Sequence, residues 1–155
     1  MYLLEWQKEK GRTMFNLLTS ILPLCLVPIQ ETPSGIEQFI TCLNNQEKIE
    51  HVIQWEPLVS EHFEEEDIPE ALLIIYCESS GYPKAVGTNT DGTKDVGLWQ
   101  FNDNTWAWLS PKLKITSKRT NPKVSTAVAS WLYYNDGNHH WNSSSKCWRT
   151  NDRTK

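Results

Sequence analysis

Residues 78–102 read ESSGYPKAVGTNTDGTKDVGLWQFN, and the fold of the chain is decided there. The stretch opens on Glu78, at the end of an apolar run. It then passes through small and polar residues centred on Asp91 and Gly92. An Asp-Gly pair is a strong hairpin signal, because tight hairpin turns need backbone angles that glycine adopts without strain. Asp95 falls on the returning strand of that hairpin, seventeen residues after Glu78, with Gln100 and Asn102 just beyond.

Upstream, Asp67 followed by Glu70 has the form of a helix N-terminal capping box, with Pro69 in the first turn. The helix runs through PEALLIIYCE to Glu78, and Gly81 and Pro83 stop it. Ala71, Ile74, Ile75 and Glu78 share one stripe of that helix. Glu78 is thus an acid on the buried side at the helix C-terminus. Burial raises a carboxyl pKa and the negative end of the helix dipole adds to it. A carboxyl kept protonated near neutral pH can act as a general acid. Asp95, held beside the helix end by the hairpin, would supply a second and more solvated carboxylate. One buried and one solvated carboxyl is an arrangement suited to cleaving glycosidic bonds.

Further out the pattern is helical. His51–Glu66 carries Val52, Trp55, Leu58, Val59 and Phe63 at helical spacing, with Pro57 placing the helix start near Glu56. Asn104–Leu109 reads as a short helix and 112–118 as a charged loop. Asn121–Asn135 has a stripe of Val124, Ala127, Val128, Trp131 and Leu132. The segment from Asn135 to Trp148 is rich in turn residues. The expected fold class is α+β, mainly helical, with a small β-hairpin beside the helix that bears Glu78.

The 155 residues are 39 % apolar, enough for one compact domain with a single core. Residues 51–148 are read as that domain, 31–50 as a linker or N-terminal segment containing Pro33 and Gly35, and 149–155 as a polar tail. Residues 1–30 look like an export signal, since Lys8, Lys10 and Arg12 precede an apolar run from Met14 to Ile29. A membrane anchor is the alternative, and the expected location is secreted or extracellular. A net charge of −4 speaks against a dedicated nucleic-acid binder. The basic stretch Lys112, Lys114, Lys118, Arg119 and Lys123 reads as solvated surface, or as a support for an anionic polymer.

Of four cysteines, Cys25 lies in the leader, leaving Cys42, Cys77 and Cys147. Three cysteines at such spacing suit one disulfide and one thiol better than a zinc site. His139 and His140 lack an acidic or cysteine partner at ligand spacing, so neither a metal nor a cofactor is expected. Eight tryptophans is a high count for this length. Most should fill the core, and at least one should line a groove, where a flat ring stacks on a sugar.

The segment from Glu78 to Asn102 resembles the catalytic core of chicken-type lysozymes, which carry Glu-Ser, an Asn-Thr-Asp-Gly turn, Asp-Tyr-Gly and Gln-Ile-Asn. It is also similar to bacterial lytic transglycosylases of the SLT type, whose core reads Glu-Ser and later Gly-Leu-Met-Gln. The stretch WEPLV at 55–59 is similar to bacterial and phage members of this superfamily. The likeness is close over 77–106 and loose over 52–148.

By that resemblance the fold is lysozyme-like, Glu78 protonates the glycosidic oxygen, and Asp95 acts as nucleophile or stabilises the oxocarbenium-like transition state. The resemblance places Ser79, Asn89, Gln100, Asn102, Trp106 and Trp99 in the substrate site, with Ser79 supporting it from beside Glu78. It also implies a Cys77–Cys147 disulfide, with Cys42 as a competitor. The expected substrate is peptidoglycan glycan strands, with chitin-like oligomers as a second possibility, acted on by a monomer.

The leading expectation is a muramidase hydrolysing the β-1,4 bond between N-acetylmuramic acid and N-acetylglucosamine. Alternatives are a lytic transglycosylase, which ends its product in an anhydro-sugar, and a non-catalytic lysozyme-like saccharide-binding protein.

Overall fold

The computed structural model describes residues 33–149. The leader expected over 1–30 and the tail beyond Arg149 lie outside the described residues. The chain divides after Glu47 into two units, the second starting at Lys48 and holding the core and every site described below. Helix α1 spans Pro33–Ile53, α2 Glu56–Val59 and α3 Ile68–Ser79. Three short strands follow, β1 Val86–Thr88, β2 Lys94–Val96 and β3 Phe101–Asn102. Then come α4 Asp103–Lys112, α5 Pro122–Asp136, a 3₁₀ segment Asn138–Ser144 and α6 Ser145–Trp148. The architecture is α+β and mainly helical, as expected. Among the described residues no helix is long and apolar enough to cross a membrane.

The N-terminal elements take these bounds. From Pro33 on, the segment read over 31–50 as a linker or N-terminal segment lies in the helix α1, 21 residues long. Pro33 suits its first turn, and no proline and no glycine beyond Gly35 interrupts the rest. Over 36–49 the sequence pattern is weakly helical, and the structure makes that stretch helix. The helix expected from Glu56 to Glu66 stops at Val59, and turns carry the chain on to α3. Val59 and Phe63 still reach the core.

Helix α3 begins where its sequence predicts, but without the capping box. Asp67 has helical backbone angles and its side chain caps nothing. Both its carboxylate oxygens accept hydrogen bonds from the Tyr133 and Tyr134 hydroxyls on α5, at 3.2 and 2.9 Å. Glu70 accepts from the Asn138 amide at 2.8 Å and shares the single Tyr133 hydroxyl hydrogen with Asp67, at 3.1 Å. The two acids therefore fasten the start of α3 to the end of α5, a tertiary use that outcompetes the local one. Ala71, Ile74 and Ile75 are fully buried, as the stripe requires. The helix ends on Ser80 at φ 52° and Gly81 at φ 82°.

The strands form an antiparallel sheet in the order β1-β2-β3. The turn closes as its sequence indicates: Asn89 N–H donates to the Thr93 carbonyl at 2.8 Å and the Thr93 N–H to the Asp91 carboxylate at 2.9 Å. β3 adds a third strand that sets Asn102 opposite Asp95 and Phe101 opposite Val96. Arg119, expected in a solvated basic stretch, is turned inward. It donates to the Phe101 carbonyl at 2.8 Å and pairs with Asp103, whose other oxygen accepts from the Lys94 N–H at 2.8 Å.

Tryptophans organise the core. Trp99, Trp141 and Trp148 are buried among Phe63, Leu98, Phe101, Leu109 and Leu132. Trp99 stacks on Phe63 with ring centres 5.5 Å apart. Each buried indole N–H has a partner: Trp99 donates to the Thr126 hydroxyl, Trp141 to the Trp99 carbonyl, and Trp148 to the Trp141 carbonyl. An indole hidden without such a partner would carry a desolvation penalty.

Gly97 and Gly92 both have positive φ, 92° and 84°, but differ in surroundings. A Cβ at Gly92 would meet nothing within 4 Å, whereas one at Gly97 would collide with the Arg119 backbone carbonyl. Gly92→Ala should cost about 1 kcal/mol, the backbone term alone. Gly97→Ala should cost about 3 kcal/mol or more, because strain and a backbone clash combine. Urea unfolding of the two variants measures the difference.

Candidate active site

Glu78 stands in the last turn of α3, and the buried stripe of that helix carries it to the edge of the core, half-buried. Its Oε1 accepts a hydrogen bond of 2.5 Å from the Ser144 hydroxyl at the end of the 3₁₀ segment. Its pKa is raised above the ordinary value. Burial is the largest cause and the negative charge of Asp95 adds to it, while the Ser144 hydrogen bond acts in the opposite direction.

Asp95 lies on β2, held from both sides. Its Oδ1 accepts from the Asn102 amide at 2.8 Å and its Oδ2 from the Asn89 amide at 3.0 Å. Both amides also donate to the Thr93 hydroxyl, at 3.0 and 3.1 Å. Thr93 in turn donates to Asp91. Asn102 has a second task as the N-cap of α4, where its carbonyl oxygen accepts from the Asn104 N–H. One residue thereby starts a helix and aims a carboxylate.

The other residues singled out in the sequence distribute unevenly. Trp106 is half-buried on α4 and tilts against Phe101. Gln100 is half-buried at φ 47° and donates to the Ala85 and Gly97 carbonyls. Ser79 is buried, and its hydroxyl bonds the Leu98 carbonyl at 2.8 Å and the Ile75 carbonyl at 3.2 Å. It ties α3 to the chain entering β3 and is not placed to touch a sugar. Trp99 as a groove residue is corrected: it is fully buried with its N–H bound to Thr126, so no ring face is open to a ligand. Both amide hydrogens of Asn102 have partners within the protein, which makes it a holder of Asp95.

Sequence reading missed Ser144. The signal that could have found it is the disulfide between Cys77 and Cys147. Cys77 precedes Glu78 and Cys147 follows Ser144 by three residues.

The statement that His139 and His140 lack an acidic partner also needs correction. Asp136 lies one helical turn before them, and the three ligand atoms fall within 4.8 Å of one another. Asp136 is already paired, accepting from His140 at 2.7 Å with His139 at 3.8 Å. The His140 hydrogen bond holds its pKa below the ordinary range. The cluster is therefore accounted for by the hydrogen bond between His140 and Asp136 at the end of α5.

The raised pKa of Glu78 has a consequence for stability. The folded state holds a proton that the unfolded chain has released once pH passes its own, lower pKa. Stability is therefore whole below the unfolded pKa and is lost as pH rises through the folded one. Glu78→Gln, which keeps an oxygen to accept from Ser144 but cannot ionise, should unfold at a higher temperature than the parent at pH 7. The difference should shrink at pH 4, as calorimetry at the two pH values would record.

The profile of the transglycosylase SLT domain matches residues 60–147. Comparison with curated proteins and with solved structures gave no significant match. The matched span contains α3, the sheet, Glu78, Asp95 and the 3₁₀ segment with Ser144, and on it the chain belongs to the transglycosylase SLT domain family, within the lysozyme-like superfamily.

Proposed function

We propose that the protein cleaves the β-1,4 bond between N-acetylmuramic acid and N-acetylglucosamine in peptidoglycan, with Glu78 as acid and Asp95 as its charged partner, and that water completes the reaction. The family supports action on peptidoglycan. The observation that carries the hydrolytic reading is Asp95 held by an amide on each oxygen beside a half-buried glutamate of raised pKa.

The chemistry follows from those groups. Protonated Glu78 gives its proton to the glycosidic oxygen as the bond to the anomeric carbon breaks. Positive charge develops on the sugar ring, and the Asp95 carboxylate stabilises it or bonds to it. Glu78, now the base, takes a proton from water as that water attacks the anomeric carbon. Trp106 offers a partly open ring for a sugar face, and Gln100 a side-chain carbonyl for hydroxyl or amide donors.

A second reading is favoured by the family itself. In a lytic transglycosylase the same Glu78 protonates the bond, but the C6 hydroxyl of the muramoyl residue attacks in place of water. Chitin-like oligomers fit the same chemistry as a secondary substrate. Export is part of the proposal, because the glycan lies outside the cytoplasmic membrane and the Cys77–Cys147 disulfide suits an oxidising compartment.

Purified peptidoglycan digested with the protein, then analysed by mass spectrometry, separates the readings. Hydrolysis should give reducing muramic acid ends; products lighter by one water would replace that reading with transglycosylation. Glu78→Gln should lower the rate at least ~10³-fold under either reading. Asp95→Asn should lower it at least ~10²-fold for the hydrolase. A near-parental rate for Asp95→Asn would remove the second carboxylate from the mechanism.

A further inference from the structure

We propose that Ser144 is a positioning residue that holds the Glu78 carboxyl in place through both of its protonation states, and that the Cys77–Cys147 disulfide keeps Ser144 there. The inference rests on the assignment of Glu78 as the acid and deepens it. An acid that later serves as base must keep one orientation while its charge changes, and Glu78 sits at a helix end whose carbonyls repel its negative form.

The Ser144 hydroxyl has two acceptors within reach, Glu78 Oε1 at 2.5 Å and the Trp141 carbonyl at 3.1 Å. A hydroxyl has one hydrogen to donate and two lone pairs to accept with. With Glu78 ionised, Ser144 donates to it. With Glu78 protonated, Glu78 can donate to the serine oxygen while the serine hydrogen turns to the Trp141 carbonyl. The hydrogen bond reverses direction and the carboxyl stays where it is. Each proton given up by the acid is thus matched by one rotation of a hydroxyl, with no heavy atom displaced.

The Trp141 carbonyl can play that part because its backbone is fixed. The Trp141 indole donates to the Trp99 carbonyl at 3.0 Å, and the Trp141 carbonyl accepts from the Trp148 indole at 2.9 Å. The covalent anchor is closer still. Cys77 neighbours Glu78 in α3, and its disulfide to Cys147 joins the helix to the segment three residues after Ser144. Cys147 is exposed, so reductant can reach the bond in the folded protein. Removing the Ser144 donor leaves Glu78 with the two influences that raise its pKa, burial and Asp95.

The test compares Ser144→Ala and Ser144→Thr with the parent by carboxyl-carbon NMR titration of Glu78 and by the pH profile of kcat/KM on peptidoglycan. Ser144→Ala should titrate Glu78 at higher pH than the parent, move the alkaline limb of the profile the same way, and lower kcat roughly three- to tenfold with KM unchanged. Ser144→Thr, which keeps the hydroxyl, should restore all three. Reducing the disulfide in folded parent protein, with folding checked by circular dichroism, should shift the titration in the same direction. Reduction of Ser144→Ala should add no further shift. An alanine variant that titrates with the parent overturns the role of Ser144, and a reduced parent that titrates with the oxidised one overturns the role of the disulfide. The NMR readout needs no turnover. Parental activity in Glu78→Gln would instead strike at the assignment of the acid, a failure separable from this one.

Discussion

The indole N–H of Trp141 donating to the carbonyl of Trp99 is the contact on which the arrangement depends. It joins the chain entering β3 to the C-terminal 3₁₀ segment across 42 positions of sequence. Trp99 is in turn stacked on Phe63 and bound to Thr126 of α5. Through this one residue the sheet, α5 and the 3₁₀ segment acquire fixed positions. A buried indole with an unmade hydrogen bond would cost about 1–3 kcal/mol, so the geometry is enforced by penalty as well as by attraction. The Ser79 hydroxyl repeats the device one residue earlier, binding the Leu98 carbonyl to α3. The acid and its carboxylate neighbour are therefore referred to one internal frame, made of side-chain donors meeting backbone carbonyls.

The two carboxyls are prepared in opposite ways. Glu78 is half-buried and its pKa is raised by loss of water and by Asp95. Asp95 has an amide donor on each oxygen and a network that extends through Thr93 to Asp91. One carboxyl is thus set by burial and the other by dedicated hydrogen-bond donors. The cost of the first falls on stability, a common compromise at reactive sites.

What was legible in the sequence was local. The Ala71, Ile74, Ile75 and Glu78 stripe and the Asp91-Gly92 turn are set by neighbours a few residues away, and both occur where the pattern puts them. What was not legible depends on distant partners. Asp67 reads as a cap until two tyrosines 66 and 67 residues later take its oxygens. Trp99 reads as a groove residue until Thr126 and Phe63 enclose it. β3, only two residues long, has too little sequence for any period, yet it turns Asn102 toward Asp95. Ser144 has no local signature at all, being one of three consecutive serines. The length of α1 was legible only in part: residues 36–49 carry a weak helical pattern, and neither end has a local signal that fixes it.

The group around Asp95 is compact along the chain. Asn89, Thr93, Asp95 and Asn102 all lie within one hairpin and its third strand, while Glu78, Cys77, Cys147 and Ser144 belong to the helical frame. The charged partner and the acid are thus separately heritable. A lineage could shorten or exchange the hairpin and lose the second carboxylate in one event, leaving the acid, its serine and its disulfide intact. Single-acid and two-carboxylate enzymes on this frame would then differ by the inheritance of one hairpin, and the sequence between residues 86 and 96, ahead of the buried Leu98 and Trp99, would record which side of that divide a given descendant occupies.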